Sequence, residues 1–158
     1  MIKLCRVDHR LLHGQVAFVW CNSLSADAIL VVSDEVARDE MRMSTMRLAK
    51  PAGVKLVIKS VEDSIKAINS GVTDKYKLLI VTGSVEDASK LAKNCVSIKC
   101  INLGGSKNRE NTKKLGAAFY VTKEESDILL ELLNDSVELE LRQVPDDKKL
   151  IVTEEMLK

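Results

Sequence analysis

Aromatic side chains are scarce in this chain: one Trp, two Tyr and two Phe make up 3% of its 158 residues. Single-stranded nucleic acid is gripped on aromatic platforms where bases stack, and so thin a supply does not furnish one. A surplus of charge is missing as well. The 24 Lys and Arg face 23 Asp and Glu for a net charge of +1, which removes bulk attraction to a phosphate backbone; no nucleic-acid partner is expected. No apolar run approaches the roughly 18 residues of a membrane span. The opening "MIKLCRVD" (Met1–Asp8) is too short, and meets charge too soon, to read as a secretory leader. Cys5, Cys21, Cys95 and Cys100 show no C-x-x-C spacing and lie in or beside apolar segments. They read as small buried hydrophobes of a reducing compartment, not as ligands or redox centres. A cytoplasmic protein is expected.

Linkers and common catalytic signatures are absent too. Nothing in the chain is Ser/Gly/Pro-rich, low in complexity or repeated at a short period, so one domain over residues 1–158 is expected. No G-x-x-x-x-G-K-[ST], no G-x-S-x-G and no convincing G-x-G-x-x-G occurs.

What is present alternates. "IKLCRV" (Ile2–Val7), "AILVV" (Ala28–Val32), "VKLVI" (Val54–Ile58), "YKLLIVT" (Tyr76–Thr82), "SIKCINL" (Ser97–Leu103), "AAFYV" (Ala117–Val121) and "VELELRQV" (Val137–Val144) carry strand patterns. Helical segments stand between them: one after Gly14, one over "DEVARDEMRMSTMRLAKP" (Asp34–Pro51), and three behind Ser60, Ser84 and Thr122 as N-caps. Strands alternating with helices predict an α/β fold: a single domain with a mostly parallel central sheet and helices on both faces. In such sheets ligands bind beyond the carboxyl ends of the strands. Asp8–Gly14, Ser33–Glu35, Thr82–Ser84 and Gly104–Arg109 occupy those places.

The first of these, "DHRLLHG" (Asp8–Gly14), holds both histidines of the chain. An imidazole on such a loop can present an unprotonated ring nitrogen near neutral pH. Arg10 offers a fork of donors suited to phosphate or carboxylate. Gly14 lets the backbone approach an anion closely, and the helix behind it brings free N–H groups and a positive dipole end. Nucleophile, cationic clamp and amide cradle together suit phosphoryl transfer to histidine. Blander readings compete: a metal pair made by His9 and His13 four residues apart, a structural His13, and Arg6 and Arg10 as solvated charges pairing with Asp8. No obvious third ligand stands near the histidines, and no metal or cofactor is expected. The "LGGSKNRE" segment (Leu103–Glu110) reads equally as a surface turn or as lining of the same pocket, and "TGS" (Thr82–Ser84) as a helix cap.

"RVDHRLLHGQV" (Arg6–Val16) closely resembles R-[IV]-D-x-R-[LV]-[ILV]-H-G-Q-V, the signature of IIB components in the mannose/fructose/sorbose family of the sugar phosphotransferase system. The likeness covers nearly the whole chain. "ILVVSDEVARDEMRMSTMRLAKPAGVKL" resembles the family's V-V-N-D-x-x-A-x-D-x-x-[RK] segment and its A-x-P-x-G-V-K. "INLGGSKNRENTKKL" resembles its N-[LV]-G-G turn, and "VELELRQVPDDKK" its closing strand and tail. The resemblance implies that His13 is phosphorylated, at Nδ1, by a IIA component. It implies onward transfer to the 6-hydroxyl of a sugar entering through membrane IIC and IID components. Arg10 matches the arginine that clamps phosphate, Asp8 the acidic residue that orients Arg10 or the loop, and Gly14 and Gln15 the turn whose amides hold phosphate. Two positions depart from the pattern: His9 stands where many relatives carry Asp or Asn, and Ser33 where many carry Asn. Ser33 can still donate a hydrogen bond to phosphate. The implied sugar is a hexose or an N-acetylhexosamine, and a homodimer accords with related chains. A protein that keeps this fold and uses the loop only to sense an anion or dock a regulatory partner is the competing expectation.

Overall fold

Ala28–Val32 is apolar at every position, and all five residues are buried, as a strand covered on both faces requires. The computed structural model describes residues 1–158 and places this strand inside a seven-stranded sheet. In chain order the elements are β1 (Ile2–Asp8), α1 (Gly14–Leu24), β2 (Ala28–Val32), a 3-10 turn (Val36–Arg38), α2 (Glu40–Ala49), β3 (Lys55–Lys59), α3 (Val61–Ser70), β4 (Leu78–Thr82) and α4 (Val85–Asn94). They continue as β5 (Cys100–Gly105), β6 (Lys113–Lys114), β7 (Tyr120–Val121), α5 (Lys123–Asn134), β8 (Glu138–Leu141), β9 (Leu150–Ile151) and α6 (Glu154–Leu157). The sheet order is β3-β2-β4-β1-β5-β8-β9. Every pairing is parallel except that of β8 with β9.

Strand alternation divides the core between two faces. Ala28, Leu30 and Val32 of β2 and Leu78 and Ile80 of β4 join one cluster with Val61, Val85, Leu91, Leu129 and Leu132 of α3, α4 and α5. Ile29, Val31, Leu79 and Val81 join the other with Ala17, Trp20 and Cys21 of α1 and Met46 of α2. The side-chain caps read from the sequence are present. Ser60, Ser84 and Thr122 accept from the N–H groups of Asp63, Asp87 and Glu125, and each such cap contributes about 1 kcal/mol.

Three expected elements are shorter than their patterns. Asp34–Pro51 is not one helix: the 3-10 turn stops at Arg38, Asp39 is extended, and its carboxylate caps α2 through the Arg42 N–H. A short acidic side chain serves a cap better than a helix interior. "VELELRQV" leaves the ladder at Leu141, because the carbonyls of Arg142 and Gln143 are taken by side chains of Arg6, Asn102 and Trp20. In "AAFYV" only Tyr120 and Val121 pair, antiparallel to Lys113 and Lys114.

From β1 the chain crosses by α1 to β2 on one side, and from β4 it crosses by α4 to β5 on the other, each helix on a different face. Neighbouring β1 and β4 therefore form a topological switch point, where a crevice opens at the carboxyl ends. The Asp8–Gly14 loop and the Thr82–Ser84 turn flank it, and Leu11 packs over Gly83.

Candidate active site at the carboxyl end of β1

Asp8 ends β1, is fully buried, and organises the loop that follows. Its Oδ1 accepts the Arg10 N–H at 3.1 Å, and its carbonyl accepts the Leu11 N–H at 2.9 Å. This closes a tight turn in which Leu11 adopts φ 58°, a left-handed conformation costing an ordinary residue on the order of 1–2 kcal/mol. Burial of Leu11 and Leu12 beneath the loop offsets that strain. Beyond them His13 is the extended N-cap residue of α1 and makes no side-chain cap. The first N–H to bond back is that of Ala17, to the His13 carbonyl. The N–H groups of Gly14, Gln15 and Val16 are thus left without intrahelical acceptors at the positive end of the helix. Gly14 takes φ +39°, and nothing stands within 4 Å of where its side chain would project.

The two oxygens of Asp8 serve different neighbours. Oδ1 also lies 3.5 Å from Arg10 Nε and 3.9 Å from His9 Nδ1. Oδ2 lies 3.1 Å from Arg6 Nη2 and 3.1 Å from His13 Nε2. Burial alone would raise the Asp8 pKa. Hydrogen bonds from the His13 ring and the Arg10 N–H, together with the Arg6 charge, outweigh it and hold the carboxyl below its ordinary value. An ionised carboxylate only accepts hydrogen bonds, so Nε2 of His13 must carry the proton. In a neutral ring the lone pair is then on Nδ1, the other ring nitrogen. The arrangement leaves Nδ1 as the ring nitrogen with the lone pair, with the imidazole held from behind by Asp8.

The structure brings Asp8, Arg10, His13, Gly14 and Gln15 onto one turn. Arg10 is half exposed and extends from Asp8, and Gln15 is exposed in the first turn of α1. Ser33 is employed differently. Its Oγ accepts the Val36 N–H at 3.2 Å to cap the 3-10 turn, and it makes no hydrogen bond to the loop. His9 is not a partner of His13: its N–H bonds to the Gly105 carbonyl, and its ring lines a small cleft with Ser84, Lys107 and Arg109. The chain has no group of three His, Cys, Asp or Glu side chains that could hold a metal ion. The Gly104–Arg109 loop meets the site through Gly105 and is tied down by an Arg109–Glu125 ion pair at 2.9 Å. The largest concavity, about 820 Å³ between the 3-10 turn and α3, does not include His13.

Arg6 is the residue the sequence reading missed. It is buried, at 3% exposure, and not a solvated charge. Its signal lay in alternation: Arg6 and Asp8 share a strand face, and Asn102 and Glu140 interrupt apolar strands alongside.

The family model described as the PTS system sorbose subfamily IIB component matches residues 2–158. A probable phosphotransferase enzyme IIB component of Streptococcus pyogenes is 42% identical over 103 residues, covering 65% of this chain and 63% of that protein. The mannose-specific EIIAB component of Escherichia coli is 31% identical over 95% of this chain, which spans 46% of that relative. The chain thus spans less than two thirds of either relative's length. The crystal structure of the IIB domain of the Klebsiella pneumoniae sorbose permease superimposes with a TM-score of 0.89 at 29% identity, covering 95% of this chain and 92% of that one. The fold of the chain is thus shared with a phosphotransferase-system domain. The chain belongs to the sorbose subfamily of IIB components, the group that includes mannose- and fructose-type proteins.

Proposed function

We propose that the chain is a phosphohistidine carrier in sugar uptake, with His13 as the residue charged. The observation that carries this reading is the 3.1 Å contact between His13 Nε2 and the ionised Asp8, which leaves the Nδ1 lone pair free on the N-cap residue of α1. In the first step the Nδ1 lone pair attacks phosphorus on the phosphohistidine of a IIA component. The new P–N bond forms as the donor's breaks, and the electron pair returns to the donor ring. In the second step the 6-hydroxyl oxygen of a sugar attacks the same phosphorus, the bond to Nδ1 breaks with its electron pair returning to the His13 ring, and the hydroxyl proton passes to water. The fusion named in the EIIAB relative supports a IIA partner. Arg10 clamps the transferring oxygens, with the amides of Gly14 and Gln15 completing the cradle. Ser33 accepts its cap bond on Oγ and keeps its hydroxyl proton to donate to phosphate.

No helix is long and apolar enough to cross a membrane. The proposed place of work is the cytoplasmic surface of the IIC and IID components, which select the sugar, a hexose or an N-acetylhexosamine. The proposed unit extends over residues 1–158, and a homodimer is compatible with it.

Phosphoenolpyruvate, the general phosphotransferase proteins and a matching IIA component test the reading directly. Acid-labile phosphate is expected on the wild-type chain, and undiminished labelling of His13→Ala overturns the assignment. Arg10→Ala is expected to accept phosphate slowly and to transfer it poorly to sugar in membranes containing IIC and IID.

A further inference from the structure

A guanidinium buried in a sheet must satisfy its donors there or destabilise the fold. Arg6 does so through one network. Nη1 donates to Asn102 Oδ1 at 2.7 Å and to the Arg142 carbonyl at 3.1 Å, while Nη2 donates to Asp8 Oδ2 at 3.1 Å. The Asn102 amide is itself oriented, because its Nδ2 faces Glu140 Oε1 and the Arg142 carbonyl, both at 3.3 Å. Only its oxygen is left for Arg6. The ring of Trp20 lies 5.4 Å from the guanidinium carbon, and the backbone of Gly104 passes so close that an added Cβ would fall 2.1 Å from that carbon. The guanidinium is held by two strands, the exit of a third, and a helix.

What the network fixes is one oxygen. Oδ2 of Asp8 receives Arg6 and His13 together while Oδ1 is held by the Arg10 N–H, so Arg6 fixes the oxygen on which the imidazole rests. Stability does not explain the arrangement. A buried ion pair is commonly no more stabilising than apolar residues of similar volume, and the neighbouring strands fill the same sheet face with Ile29, Val31, Leu79 and Val81. We infer that Arg6 is a positioning residue for phosphotransfer: it fixes the Asp8 carboxylate, which holds His13 by Nε2 and aims Nδ1. The inference rests on the reading of His13 as the phosphoryl carrier.

Two variants of the full chain test it. Arg6→Lys keeps the charge but has a single nitrogen, which cannot reach Asp8, Asn102 and the Arg142 carbonyl with Arg6 geometry. Gly104→Ala keeps Arg6 and displaces its guanidinium. Transfer from a phosphorylated IIA component is measured with kcat and KM separated, per folded molecule, and the 15N shifts of the His13 ring report its tautomer. The expected result is a fall in kcat of about 10- to 100-fold and loss of the uniform Nε2–H tautomer. KM for the donor should stay within about twofold, because the donor-facing surface is untouched. Either variant, folded, with wild-type kcat and a uniform Nε2–H tautomer overturns the inference. So does a loss confined to melting temperature. Should both variants fail to fold, the wild-type ring decides: an Nδ1–H tautomer overturns the inference and an Nε2–H tautomer supports it. Labelling of His13→Ala is a separate outcome, which removes the carrier reading itself.

Discussion

One face of the sheet is built in two ways. Beneath α1 and α2, strands β2 and β4 present Ile29, Val31, Leu79 and Val81. A few residues away on the same face, β1, β5 and β8 present Arg6, Asp8, Asn102 and Glu140, all buried. The first half is stabilised by transfer out of water, about 1.5–3 kcal/mol for each large side chain fully buried. The second half roughly breaks even, since desolvating its charges offsets what they gain from each other. It does fix geometry, because hydrogen bonds have direction and apolar contact does not. The difference teaches where this fold stores stability and where it stores precision.

The contrast can be broken most forcefully at Asp8. Asp8→Ala leaves the Arg6 guanidinium buried without its partner, for which a loss of about 3–5 kcal/mol is expected, and phosphate labelling of His13 should fail in the molecules that remain folded. Chemical denaturation beside a labelling assay measures both. Leu79→Ala sharpens the contrast from the other side. A cavity in the apolar half should cost about 3 kcal/mol while the labelling rate per folded molecule is unchanged; a slowed rate would show that the two halves are not separable.

The smallest effect is in pH. The Asp8 pKa is held below its ordinary value in the folded chain, so its contribution is fully present above the unfolded carboxylate value of about 3.9 and is lost as pH falls through the depressed folded value. Unfolding free energies of wild type and Asp8→Asn, compared across that range, should converge on acidification. A constant gap would remove Asp8 ionisation as its source.

The apolar half was legible in the sequence, because β2 and β4 are unbroken apolar runs and the helices between strands carry capping residues at the right spacing. So was the place of the His13 loop, since it follows directly on a strand that the pattern marks. The polar half was hidden for a physical reason. A charge within a strand pattern says that one face is polar, but not whether water or another side chain satisfies it. Arg6 could be recognised as interior only once β5 and β8 were known to lie beside β1, and Asn102 and Glu140 are about 100 residues or more away along the chain. Ser33 shows the same limit in reverse. It stands at the right strand end, and that its oxygen also accepts from the local backbone of the 3-10 turn is visible only in the fold. Asp39 broke an otherwise helical pattern for an equally local reason, since it caps the helix that follows.

Trp20 has one further consequence. It is the chain's single tryptophan; its indole N–H donates to the Gln143 carbonyl at 2.9 Å, and the guanidinium carbons of Arg6 and Arg142 lie 5.4 and 5.6 Å from its ring. All indole fluorescence from the chain therefore originates at one buried spot, against the guanidinium that is joined to the proposed phosphorylation site by two hydrogen bonds through Asp8. The protein carries its own optical probe, placed where the polar half of the sheet meets α1, with no second indole to dilute the signal.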